Sequence, residues 1–383
     1  METKRPDSAN YTEIFLTDTP LLDTRAPTEF ARGSFPNAEN IPLMNDLERE
    51  QVGTCYKQHG QDAAIALGHK LVCDKIKTSR VNSWLNFAER NPQGYLFCFR
   101  GGLRSQISQQ WLSEAGCDYP RIEAGYKAMR RFLIDNLELH TKNKSFVIVG
   151  GQTGSAKTEL LPRISSSLDL EGLANHRGSA FGKRVAGQPA QITFENAVAI
   201  ELLKLHHQAP RHTIIVEDES KLIGRCALPE SLRLAMSKSP LVVVETLLSE
   251  RVEHSFKNYI LHNLIDCQQL LGEEAGFARF ATELLQSLDK IRRRLGGARH
   301  TELQQWMNDA LEQHRRGDSS GHLRWIETLL RDYYDPMYNY QIEQKKERVI
   351  FSGRPNDVVD YLNNHNNSHN TYKLAIPPIN RHS

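Results

Sequence analysis

The spacing of apolar positions changes character twice along this chain. Up to about Asn136, short apolar runs alternate with helix-length stretches. Ile14-Phe15-Leu16 and Leu21-Leu22-Asp23 read as strand ends, and Tyr95-Leu96-Phe97 as a buried strand running straight into a cysteine. A polar stretch, His140-Thr141-Lys142-Asn143-Lys144, then marks a boundary. Beyond it, Ser145-Phe146-Val147-Ile148-Val149-Gly150, Thr213-Ile214-Ile215-Val216 and Leu241-Val242-Val243-Val244 are β-rich runs separated by helix-length segments, the βαβ rhythm of a parallel sheet. From Arg251 to Asp335 the spacing becomes helical, with Leu284, Leu285, Leu288, Ile291 and Leu295 three or four residues apart. The last stretch, from Asn363 through Pro377-Pro378, has too little apolar content to fold. The pattern predicts an α/β protein: an N-terminal α/β domain over 1–138, a parallel-sheet domain over 139–250, a mostly helical C-terminal region over 251–362 and a disordered tail over 363–383. There is no internal repeat.

Composition narrows the class. At 383 residues the chain exceeds what one compact core usually spans. No apolar run approaches the roughly 18 residues needed to cross a bilayer, and the start Met1-Glu2-Thr3-Lys4-Arg5-Pro6 lacks a signal-peptide core, so a cytoplasmic protein without a membrane partner is expected. The formal charge of +2 is nearly balanced, so contact with nucleic acid has to come from local basic patches. Six cysteines without C-x-x-C spacing argue against a disulfide scaffold or a zinc ribbon and point to reduced thiols.

Two loops carry the chemistry. In Cys98-Phe99-Arg100-Gly101-Gly102-Leu103-Arg104-Ser105, a cysteine stands between a strand and a helix. Helix-terminal amides with Arg100 and Arg104 favour its nucleophilic thiolate, and Arg100, Gly101, Gly102, Arg104 and Ser105 form a candidate anion cradle. The plainer reading of Cys98 is a small buried hydrophobe, but two glycines and two arginines within six residues serve an anion better than packing. The second loop, Gly151-Gln152-Thr153-Gly154-Ser155-Ala156-Lys157-Thr158, matches G-x-x-x-x-G-K-[ST] except at Ala156, a position expected to have negative φ at the helix start. Its amides suit a diphosphate, Lys157 neutralises it, and Thr158 with Asp218, after the strand Thr213–Val216, are the candidate Mg²⁺ ligands. Asp218 equally fits a solvated carboxylate at a strand end. Pro162 is expected to bend or shorten the following helix.

Further candidates are looser. His176 and Arg177 lie in a glycine-rich stretch and are candidates to meet phosphate or RNA, against the plainer reading of a surface turn. Arg292, Arg293 and Arg294, with Lys290 and Arg299, crowd one helical stretch, and Lys127, Arg130 and Arg131 form a second patch. Both suit sequence-blind contact with RNA phosphates, although a basic helix is often just a solvated face. Tyr333, Tyr334 and Tyr338 fit core packing better than base stacking.

Residues Leu22-Asp23-Thr24-Arg25, Glu29-Phe30 and Gly33 to Pro42, with the cysteine loop, resemble the rhodanese superfamily. The resemblance implies that the Asp-x-Arg segment ends a central strand and buttresses the loop. One departure is that Arg104 lies six residues after Cys98 where simple sulfurtransferases have five; the wider cradle suits a tetrahedral, phosphate-like group. The order of rhodanese-like domain, P-loop domain and helical tail, with Gly125-Tyr126-Lys127, Leu170 to Ser179, Val216 to Ser220 and Tyr333 to Tyr338, is similar to bacterial tRNA 2-selenouridine synthases over roughly residues 10 to 355. That resemblance implies conversion of a wobble 2-thiouridine in tRNA to 2-selenouridine through an S-geranyl intermediate. The co-substrates would be geranyl diphosphate and selenophosphate, with no tightly bound cofactor, and the enzyme that supplies selenophosphate is a candidate partner. The resemblance makes the cysteine essential for selenation; from the residues themselves we expect the P-loop to hold the departing diphosphate and Cys98 to take selenium from selenophosphate as a perselenide. Two other readings stay open: an ATP-dependent kinase or NTPase with a rhodanese-like regulatory domain, and an RNA-binding sensor that uses Cys98 as a redox switch.

Overall fold

The structure, a computed structural model, describes residues 5–367. In chain order the strands are β1 (Leu21–Asp23), β2 (Ala38–Asn40), β3 (Tyr95–Phe97), β4 (Phe146–Gly151), β5 (Ser167–Leu168), β6 (Ile214–Glu217), β7 (Leu222–Ile223), β8 (Cys226–Ala227), β9 (Leu241–Val244) and β10 (Val349–Gly353). The chain divides into two compact units. One comprises residues up to Lys144 with Leu170–Gln208 and Glu219–Lys238; the other comprises Ser145–Asp169, Ala209–Asp218 and the chain from Ser239 onward.

The first unit is built on a parallel sheet of order β2-β1-β3. Leu21, Leu22, Leu96 and Phe97 are fully buried in it, as their uninterrupted apolar runs require of a strand covered on both faces. Trp84 and Phe87 from the helix Asp74–Arg90, and Trp111 and Leu112 from the helix Leu103–Glu114, complete the core. Asp23 ends β1 and is buried with Arg25, whose Nε and Nη2 donate to the Asp23 carboxylate at 2.6–3.0 Å. Arg25 also donates to the Gly33 carbonyl and lies 3.7 Å over the Tyr126 ring. The sequence boundary at 138/139 moves to 144/145, because the helix Gly125–Asn143 runs through the polar stretch. His140 and Thr141 face inward there, His140 against His206 with ring centroids 4.4 Å apart.

The second unit carries a parallel sheet of order β10-β9-β4-β6-β5. Its three middle strands are the three β-rich runs of the sequence, buried along nearly their whole length. The two edge strands were not predicted. β10 rises out of the stretch expected to be a separate helical region, so 251–362 is no domain of its own but returns a strand to this sheet. Helical spacing itself holds: Leu284, Leu288, Ile291 and Leu295 line the buried face of the helix Glu273–Leu295. Residues 170–208 and 219–238, assigned by sequence to the parallel-sheet domain, belong to the first unit. The tail also differs from expectation, because the helix Pro355–Asn367 extends past Asn363. Asn363 and Asn366 are ordered by satisfying loop backbone, with Asn363 Oδ1 accepting from Ser165 N at 2.9 Å and Asn366 Nδ2 donating to Ser165 O at 3.1 Å. The remainder of the predicted tail, 368–383, lies outside the described residues. Among the described residues no helix is long and apolar enough to cross a membrane.

Candidate functional site

Cys98 follows β3 directly and is 3 % exposed. Its Sγ donates to Ser105 Oγ at 3.2 Å, and Ser105 Oγ donates in turn to the Gly102 carbonyl at 3.0 Å. The loop is held from behind by the turn at Ala124–Lys127. Tyr126 N donates to Cys98 O and Lys127 N to Phe99 O, each at 2.9 Å, and Arg121 Nη1 donates to Gly101 O at 2.8 Å. Two glycines make the approach possible. Gly101 has φ +64°, and a Cβ there would stand 2.6 Å from Ala124 N; Gly125 has φ +61°, and a Cβ would strike the Cys98 carbonyl oxygen. Gly102 faces open space, and there the loop borders a cavity of about 1060 Å³ within the first unit. Because both φ and space exclude a side chain, Gly125→Ala is expected to lower unfolding free energy by ~2 kcal/mol or more and to displace Cys98. Denaturant unfolding, with thiol alkylation rates on the folded protein, checks both effects.

The arginines divide. Arg100 is exposed, whereas Arg104 is engaged by Glu29, with Nη1–Oε2 at 2.5 Å and Nη2–Oε1 at 3.2 Å. Burial pushes the Glu29 carboxyl up, but hydrogen bonds from Arg104 overcome this and hold it below its ordinary value. Arg104 therefore borders the cradle as half of an ion pair, not as an unshared cation. Nothing local in the sequence pairs Glu29 with Arg104, since they stand 75 residues apart.

In the second unit, β4 delivers the loop 151–158. Gly154, at φ +83°, packs so closely that a Cβ would lie 2.7 Å from Ser255 Oγ and 2.9 Å from Arg251 O. Lys157 Nζ donates back to the Gly151 carbonyl at 2.9 Å. Ser155 Oγ is buried and makes no hydrogen bond within the protein, as a hydroxyl serving a ligand would. The expected negative φ at Ala156 is corrected: it stands at φ +58°, ψ 29°, so the chain enters the helix Lys157–Leu160 through a left-handed residue, at about 1 kcal/mol of strain for a non-glycine. As Pro162 foretold, that helix lasts four residues before a 3₁₀ turn. Arg251, 2 % exposed, braces the loop by donating to Thr153 O at 3.3 Å and to both oxygens of Asp335 at 2.7 Å. No local pattern links these positions.

Asp218 follows β6, and its carboxylate accepts from Lys345 Nζ at 2.7 and 2.8 Å. As arranged, it neutralises an ammonium, which does not fit the role of a metal ligand. Burial pushes the nearby Tyr338 phenol up, and the Asp218 charge adds to this. His176 is buried in the first unit, bridged to Lys183, with Arg177 half-buried beside it. Arg292, Arg293 and Arg294 are exposed on the last turn of the helix Glu273–Leu295, open to a polyanion.

Comparison with known proteins adds independent findings. Residues 144–369 match a family model described as the tRNA 2-selenouridine synthase AAA domain. The chain is 56% identical over 356 residues to the tRNA 2-selenouridine synthase of Hahella chejuensis, covering 93% of this chain and 94% of that protein. It is similar to proteins of the same name from Marinobacter nauticus, at 51% identity over 93% of this chain and 97% of the relative, and from Bordetella petrii, at 52% over 94% and 96%.

Proposed function

The chain belongs to the tRNA 2-selenouridine synthase family, and from that premise we propose that it exchanges the 2-thio sulfur of a wobble uridine in tRNA for selenium in two steps. A thiocarbonyl sulfur is a poor leaving group until alkylated. In the first step that sulfur attacks C1 of geranyl diphosphate, a C–S bond forms, the C1–O bond breaks, and diphosphate departs with the electron pair while the base loses its N3 proton. Concentrated positive charge at the departing diphosphate lowers this barrier, and the P-loop amides with Lys157 supply it.

In the second step Cys98 is the nucleophile. The observation that supports this is its position at the junction of a parallel strand and a helix, in a loop backed by the buried Asp23–Arg25 pair. Electron counting corrects the perselenide expectation. Selenium in selenophosphate is already at the selenide level, so a cysteine perselenide plus phosphate would require an oxidant. We therefore place the attack at phosphorus: an S–P bond forms, the P–Se bond breaks, and selenide is released. Selenide adds at C2, the C–S bond breaks, and geranylthiol leaves after taking a proton. Water then cleaves the S–P bond and returns Cys98 with phosphate.

The test incubates the protein with 2-thiouridine tRNA, geranyl diphosphate and selenophosphate, and weighs the nucleosides by mass spectrometry. 2-Selenouridine with geranylthiol, without nucleotide hydrolysis, is the expected result; selenium incorporation that proceeds without any S-geranyl species ends the reading. Lys157→Ala should slow prenyl transfer about 100-fold while leaving conversion of S-geranyl tRNA intact.

A further inference from the structure

The cavity beside Cys98 is far larger than a selenium donor needs. A tetrahedral anion occupies little more than the loop itself, yet about 1060 Å³ opens here, at the top of the range for drug-sized ligands. The inner walls are apolar: Leu43 and Met44, Val52 and Ile65 on the helix Asp46–Leu71, and Ile107 and Trp111 on the helix Leu103–Glu114. The interior arginines carry no unshared charge, because Arg25 is paired with Asp23 and Arg104 with Glu29. Beyond the cysteine loop itself, a free diphosphate would therefore find little to neutralise it inside. The exposed cations that line the cavity, Arg32, Arg49, Lys57 and Arg100, suit a polyanionic backbone that stays outside. One polar group awaits explanation. Tyr126, 6 % exposed, lines the cavity with a buried Oη that has no hydrogen-bond partner, beside Gly33 and Ile192, which line it too.

We propose that this cavity receives the hydrocarbon chain of an S-prenylated uridine in RNA, seating the chain among the apolar walls, carbon 2 of the base at Cys98, and a polar edge of the base at Tyr126 Oη. The assignment rests on the two-step reading, and it separates the thioether's site from the P-loop that grips the diphosphate donor.

The experiment uses the full chain and anticodon stem-loops bearing S-methyl- or S-geranyl-2-thiouridine, with affinity read by fluorescence anisotropy. S-geranyl RNA should bind ~100-fold more tightly than S-methyl RNA, from burial of the extra apolar carbons less the ordering of the chain. Equal affinities overturn the proposal. Ala64→Phe, which narrows the cavity at a buried wall position, should reduce that preference to within ~3-fold and leave S-methyl binding unchanged. If the variant loses S-methyl binding as well, it has misfolded and the wild-type comparison decides alone. Geranyl diphosphate, at concentrations saturating prenyl transfer, should not displace S-geranyl RNA; displacement assigns the cavity to the donor and overturns the proposal. Wild-type conversion of S-geranyl RNA with selenophosphate runs in parallel. Failure of that conversion with the S-geranyl preference intact removes the two-step reading and keeps the cavity, whereas conversion without the preference removes the cavity alone.

Discussion

Cys98→Ser should stop selenium incorporation, by at least ~1000-fold, while prenylation continues and S-geranyl tRNA accumulates. Serine is nearly isosteric, and its hydroxyl keeps a partner in Ser105 Oγ, so the loop and the cavity wall stay in place. What is lost is the nucleophile that opens the P–Se bond. Nucleoside mass spectrometry after a single incubation reads both steps at once. A variant in which the two products fall together would show that Cys98 serves the fold or the donor, and the separation into steps would be abandoned. A variant that still inserts selenium would remove Cys98 from the chemistry altogether.

The largest stability effect is expected at the C-terminal end of the same unit's central strand, where Asp23 stands in register with Phe97, the residue before Cys98. Asp23→Ala leaves the Arg25 guanidinium, 1 % exposed, without its carboxylate. Removing one partner of a buried pair leaves an uncompensated charge and typically costs about 3–5 kcal/mol. Arg25 also stacks on Tyr126, whose backbone N–H holds the Cys98 carbonyl, so the loss should reach the cysteine loop as well as the core. Denaturant unfolding measures the first consequence, and thiol reactivity of Cys98 the second. Asp23→Asn, which keeps an acceptor beside Arg25, should lose distinctly less. A change below about 1 kcal/mol in Asp23→Ala would mean that water reaches Arg25 and that the pair does not buttress the loop.

How far the sequence could be read follows from which signals are local. Uninterrupted apolar runs such as Phe146–Val149 and Leu241–Val244 report burial on both faces, and each became an inner strand. The edge strand β5 is only two residues long and carries no such mark, and β10 offers just Val349-Ile350-Phe351, half-buried, before it turns polar. Both chemical loops were visible because they depend on residue types at fixed spacing after a strand. Their supports were not: Glu29 with Arg104, Arg251 with Asp335 and Lys345 with Asp218 join positions 75, 84 and 127 residues apart. The interleaving of the two units was hidden for the same reason, since periodicity records how a segment is covered but not by which part of the chain. The left-handed Ala156 shows a third limit, where a motif fixes composition while the turn's handedness is set by what packs around it.

Each unit is assembled from three separate stretches of chain, so the backbone passes between them five times. During translation neither can finish early. The N-terminal unit lacks its last segment until Lys238 has left the ribosome, and the other sheet lacks an edge until residues 349–353 emerge. At synthesis speeds of about 5–20 residues per second, the nascent chain spends many seconds with apolar strands made but not yet covered. No contiguous fragment of the chain holds either unit whole without carrying part of the other.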